Sequence, residues 1–206
     1  MEKIIAEFKN ENGINRRKTK IILEKSDKCA GIVLMLNPGK CLPYDEKQIS
    51  DNWKEFEAKS DLSIRIISTC VNEAYKNQLS GYVFIINLSD KRMADSRKLS
   101  HEEFTKEDLE IVKEIEDKLK EQEEKGNSIK WIWIGFGKIY KEGKCPAKHN
   151  KRNELKKKVF NELKEIVPDK IVGYSICFTH PGIPLNVNAA KKLEIIKEIR
   201  GKLENF

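Results

Sequence analysis

The chain has 206 residues, 35% charged and 39% hydrophobic, with 40 Lys+Arg against 33 Asp+Glu and a formal net charge of +7. That length can bury a substantial core as a single domain over residues 1–206, and so polar a composition belongs to a globular protein. No apolar run reaches the length of a membrane span and MEKIIAEFKN lacks a signal-peptide core, so a cytoplasmic monomer with no membrane partner is expected.

The excess of positive charge suits a polyanionic partner such as nucleic acid. Cys29, Cys41, Cys70, Cys145 and Cys177 are odd in number, scattered, and contain no C-x-x-C pair. Neither a disulfide framework nor a zinc or iron–sulfur site is expected from them, and no cofactor is implied.

Taken in order, Ile4 to Glu24 reads as an amphipathic start and a hairpin turning at Asn12-Gly13. The return strand carries Arg16, Arg17, Lys18 and Lys20, which are candidates for phosphate contact or a charge-protected strand edge. Ile32–Leu36 is a continuous apolar run that stops at Asn37-Pro38-Gly39. Such a run is a strand buried on both faces, ended by a proline that cannot donate to the ladder. The following segment is expected to be a loop and then irregular helix up to Ser60.

Ile64, Ile67, Val71 and Tyr75 recur at helical spacing, and Gly81 precedes a second apolar strand, Tyr82–Leu88, with Asn87 at its carboxyl end. A basic loop follows, whose Lys91, Arg92, Arg97 and Lys98 are expected to contact DNA phosphates, and then a helix closed by Gly126. A third strand ends at Gly135-Phe136-Gly137, a charged helix stops before Pro168, and a fourth strand, KIVGYSICFTH, runs into Pro181. The closing segment is helical through Leu193, Ile196, Ile199 and Leu203.

Strands alternating with helices predict a three-layer α/β/α fold around a mostly parallel sheet, with the functional edge at the strand carboxyl ends. Asn37, Asn87, Gly135 and His180 should then converge on one cleft. No phosphate-loop or dinucleotide fingerprint is present.

Four strand-end signatures, LNPG, IINL, WIGFGK and FTHPGIPLN, occur in this order over roughly residues 30 to 190. Together they resemble the uracil-DNA glycosylase superfamily, especially its mismatch-specific branch with the motif G-I-N-P-G. They are also similar to an uncharacterised bacterial family with an L-N-P-S strand end. Met35 departs from the superfamily pattern, which has glycine there. The last motif aligns two ways: His180-Pro181 on the glycosylase His-Pro, or Thr179, Gly182 and Pro184 on the bacterial family, with Asn186 where that family has histidine.

The resemblance implies a uracil-DNA glycosylase-like fold that hydrolyses the N-glycosidic bond of a flipped-out uracil or 5-modified pyrimidine in double- or single-stranded DNA, in repair or in defence against modified viral DNA. Asn37 would orient the water, with Asp45 as an alternative carboxylate. Asn87 would read the base through one donor and one acceptor, and His180 would donate to the base carbonyl as charge develops. Pro38 and Gly39 would line the pocket, and Tyr44 or Phe136 would stack on the base. Pro181, Gly182, Ile183 and Leu185 would wedge the duplex. Uracil-restricted members place a tyrosine where Gly39 stands, so an open pocket tolerant of 5-substituents is expected. The alternative is an α/β module that binds a modified base or nucleotide without cleaving it.

Overall fold

A computed structural model describes residues 3–24, 26–75, 79–92, 106, 108–136, 139, 150–172 and 197–206. Its centre is one seven-stranded sheet in the order β4-β1-β2-β5-β3-β6-β7. The strands are β1 (Lys3–Asn10), β2 (Ile14–Ile22), β3 (Cys29–Met35), β4 (Lys54–Glu57), β5 (Tyr82–Asn87), β6 (Trp131–Ile134) and β7 (Ile171–Val172). Helices α1 (Leu62–Ala74), α2 (Asp108–Glu124) and α3 (Asn150–Ile166) accompany them, with a further helical stretch at 197–203.

The sheet is mixed where a mostly parallel one was expected. β5, β3, β6 and β7 run parallel, while β4, β1 and β2 are antiparallel to their neighbours. The hairpin dictates this. Asn12 and Gly13 both take positive φ, 51° and 102°, which turns the chain straight back beside β1. A second correction concerns residues 46–60, which contain no irregular helix. Glu46–Gln48 is a single 3-10 turn, and Lys54–Glu57 pairs with the free edge of β1. The segment has no helical period, whereas Phe56 meets Phe8 edge-to-face at 6.1 Å.

Alternation along the buried strands divides the core into two layers. Val33, Met35, Val83, Ile85, Trp131 and Trp133 pack beneath α1 together with Ile199 and Leu203. Ile32, Leu34, Phe84, Ile86, Ile132 and Ile134 pack against α2 and α3 on the other face. Helices therefore cover both faces of the parallel half, as its unbroken apolar strands require.

From β3 the chain passes through β4 and α1 to β5 on one side, and from β6 through α3 to β7 on the other. The neighbouring strands β3 and β6 thus lead away in opposite directions, and their carboxyl ends flank a topological switch point, the usual place for a ligand crevice in such sheets. The fourth strand is described only as far as Val172, so the expectations for its remainder lie outside the described residues.

Candidate functional site

Three of the four expected strand ends stand side by side. Met35 pairs with Asn87 in the β3–β5 register, and Leu34 with Ile134 in the β3–β6 register. Bonds continue past the strands: Leu88 N donates to Met35 O at 2.9 Å, Ser89 N to Leu36 O at 3.1 Å, and Gly135 N to Leu34 O at 2.8 Å. This clamps the exit of β3 between its neighbours and carries Asn37 and Pro38 into the interior, with Asn37 2% exposed.

Asn87 is 1% exposed, and neither its amide nitrogen nor its amide oxygen has a hydrogen-bond partner. Following Val83 and Ile85 by alternation, its side chain belongs to the α1 face. A buried amide with both ends unpaired costs on the order of 1–3 kcal/mol per unsatisfied group. Such orphans are rare in native interiors.

The loop after β3 is fastened by the start of α1. Asp61 caps that helix, Oδ1 accepting from Ile64 N at 3.0 Å, while Oδ2 accepts from Cys41 N at 3.2 Å. Gly39 has φ +65°, and a Cβ there would lie 2.8 Å from Asp61 Oδ2. This overturns the expected open space at Gly39. The direction a side chain would take is filled by the capping carboxylate, and glycine is required by the turn itself.

Arg16 also departs from expectation. It is 1% exposed, so it offers no surface contact to a phosphate. The cause is a bulge in β2: Ile5 pairs with Lys20 but Glu7 with Arg17, so Ala6 alone faces Lys18 and Thr19. Lys18 takes φ 46° to absorb the extra residue. The strand's phase slips, and Arg16, opposite Phe8 of the α1-side core, points inward. Its Nη1 lies 4.0 Å from Asp61 Oδ2, and its Nε and Nη1 make no hydrogen bond. Thr19 Oγ1 on the same strand is likewise buried and unpartnered. Burial pushes the Cys41 thiol up from its ordinary range, opposed by the nearby Arg16 guanidinium.

Other expected residues are drawn elsewhere. Arg17 donates to Glu7 Oε2 at 2.7 Å and lies 4.3 Å over the Trp53 ring, so its charge is already matched. Lys91 bonds Asn12 O across the hairpin turn, and Arg92 donates to Cys41 O at 3.2 Å and to Lys40 O at 3.3 Å. Both hold loops in place and are half-buried.

Tyr44 is 60% exposed, its N donating to Glu57 O of β4 at 3.2 Å. β1, β2 and β5 separate β4 from β3, so Tyr44 is not brought to Asn37 and Asn87. Asp45, beside it, caps its own turn, accepting from Lys47 N at 3.1 Å and Gln48 Nε2 at 2.7 Å. Phe136 is 1% exposed in the core facing α2 and α3, with Lys156 Nζ 5.6 Å above its ring. That is the face opposite Asn87, which removes Phe136 as a stacking partner there. Arg97, Lys98, His180, Pro181, Gly182, Ile183 and Leu185 lie outside the described residues.

What the structure assembles at this edge is therefore Asn37, Asn87, Arg16, Thr19 and Asp61. Sequence reading missed the last two and misplaced Arg16. An aspartate directly before an apolar helical period was the one available signal, and it pointed to Asp61 as a cap. Among the described residues, no three His, Cys, Asp or Glu side chains converge as a metal site requires. No family model, curated protein or solved structure matches the chain.

Proposed function

We propose that the chain is a DNA glycosylase of the uracil-DNA glycosylase type, acting on a flipped-out uracil or 5-modified pyrimidine. The observation that carries this reading is Asn87: a wholly buried amide, both ends unpartnered, at the strand end beside that of Asn37 in the parallel half of the sheet. A carboxamide matches the donor–acceptor edge of a pyrimidine in two bonds. Burial excludes water from competing for those bonds.

In this mechanism the bond between sugar carbon C1′ and ring nitrogen N1 breaks, and its electron pair leaves with the base. Water held by the Asn37 amide adds to C1′, and the proton that water loses ends on the departing base. A neutral amide is a poor proton acceptor, so the rate depends chiefly on stabilising the base anion. His180 enters this scheme through the sequence likeness alone.

A second reading, a module that binds a modified base without cleaving it, is favoured by Asp45. That carboxylate is turned into its own capping bonds, away from Asn37. One experiment separates the two. Oligonucleotides carrying uracil, thymine or 5-hydroxymethylcytosine, single- and double-stranded, are incubated with the protein and then treated with alkali. Strand breaks at the marked base are expected. Binding of the marked strand with no break in any arm overturns the glycosylase reading in favour of the module.

A further inference from the structure

Between α2 and α3 the outer layer of helices leaves an open groove of about 400 Å3. One wall is a single stripe of α2: Leu109, Val112, Lys113, Glu116, Asp117 and Lys120. Their three- and four-residue spacing keeps them on one face over about three turns, roughly 16 Å. The other wall is the last turn of α3, with Glu162, Glu165 and Ile166. Leu109 is 66% exposed and Ile166 42%, so two of the five large hydrophobics exposed among the described residues stand in this one groove. Scattered exposed apolar residues are ordinary, whereas two sharing a concavity ringed by charge mark a contact surface.

Shape and charge together specify what covers it. A trough three turns long matches a helix laid alongside α2 better than a compact small molecule. Its lining carries four carboxylates against two ammonium groups, in a chain whose net charge is +7. Elsewhere on α2, Glu114 pairs with Lys106, and Glu121 with Lys118 and Lys125. Glu116, Asp117 and Glu165 have no ion-pair partner among the described residues. The carboxyl end of α3 adds the negative end of its helix dipole to the same wall. Burial, and after it the Asp108 and Glu165 carboxylates, hold Glu162 above the usual carboxylate range against the opposing pull of Lys158. Cations brought into the groove would relieve that crowding.

We propose that this groove docks a basic amphipathic helix of a partner protein. Its apolar stripe lies on Leu109, Val112 and Ile166, and its Lys or Arg side chains meet Glu116, Asp117, Glu162 and Glu165. The surface is independent of the glycosylase reading, since none of its residues belongs to the strand ends. So short a trough suits a transient partner, with a Kd on the order of micromolar.

The test is fluorescence anisotropy of labelled peptides of about fourteen residues, titrated with the full chain at about 0.15 M salt. One peptide carries Leu at helical spacing and Lys elsewhere, a second has the same residues scrambled, and a third has Glu in place of Lys. The first is expected to bind at least about tenfold more tightly than the other two. Leu109→Ser with Ile166→Ser, and Glu162→Lys with Glu165→Lys, should each weaken it at least about tenfold. Glu11→Lys with Asp51→Lys, exposed at the hairpin, should leave it unchanged. Circular dichroism checks each fold, and if the serine variant does not fold, the charge reversal and the peptide comparison decide. Equal binding of the scrambled peptide, or equal weakening by the hairpin variant, overturns the proposal in favour of unspecific charge attraction. No binding of the first peptide overturns it too. Sedimentation showing a dimer that the serine variant dissolves overturns it in favour of a second copy of the chain.

Discussion

At the scale of single residues, the site is recognised by groups that weaken the fold. Asn87 has no partner for either end of its amide, so replacing it with an apolar side chain of similar shape removes a penalty. Asn87→Leu is expected to raise stability by about 1 kcal/mol or leave it unchanged, while abolishing base release. Urea unfolding read beside the alkali assay checks both halves, and a destabilised variant that still releases base would contradict them. Gly39 behaves oppositely. With φ +65° and Asp61 Oδ2 2.8 Å from the position of a Cβ, Gly39→Ala is strained by its backbone and crowded by the cap. A loss of roughly 1–2 kcal/mol is expected from the left-handed conformation alone, measured as a lower urea midpoint.

At the scale of elements, α2 is stitched to the beginning of β3 by one buried side chain. Gln122 Oε1 accepts from Cys29 N at 2.7 Å, and its Nε2 donates to Asp27 O at 3.2 Å. This fixes the last turn of α2 against the amino end of the central strand, opposite the functional edge. Gln122→Leu would keep the packing but leave the Cys29 N–H buried without an acceptor. A loss of about 1–3 kcal/mol is expected, with the proposed base affinity unchanged because the stitch lies at the other end of the strands. Hydrogen exchange at the Cys29 amide, together with the urea midpoint, reads this directly, and an unaltered midpoint would show the bond to be dispensable. The β2 bulge works the other way, since it spends local regularity to turn one arginine inward.

For the whole molecule, the buried thiols tie stability to alkaline pH. Burial pushes Cys29 and Cys70 from 9.0 to about 12. Between those values the unfolded chain has released protons that the folded chain still holds, so folding stability falls as pH rises through that window. Below pH 9 the contribution is fully present. Thermal melts from pH 8 to pH 11 should show this decline, and Cys29→Ala with Cys70→Ala should flatten it; an undiminished slope in the double variant would assign the decline to other groups. No helix among the described residues is long and apolar enough to cross a membrane. The sheet's two covered faces leave the carboxyl edge of its parallel half as the place where strand ends and loops meet.

Much of this was written locally in the chain. Ile32–Leu36 and Tyr82–Ile86 are apolar throughout because both faces of their strands are buried, and Asn37-Pro38-Gly39 marks where the first must stop. The adjacency of Asn37 and Asn87 follows, since strand order and parallel pairing bring those ends together. What the sequence could not declare is the orientation of residues whose surroundings come from distant segments. Arg16 sits in a run of basic residues that looks like a solvated edge, and a single extra residue in β2 turns it inward. Phe136 follows a strand end that looks like part of the site, yet its side chain falls on the opposite face. Gly39 reads as open space until Asp61, twenty-two positions on, closes over it. Hydrophobic periodicity determines elements because burial acts on every residue of a strand or helix at once, whereas the direction of one side chain depends on register and on which distant segment arrives beside it.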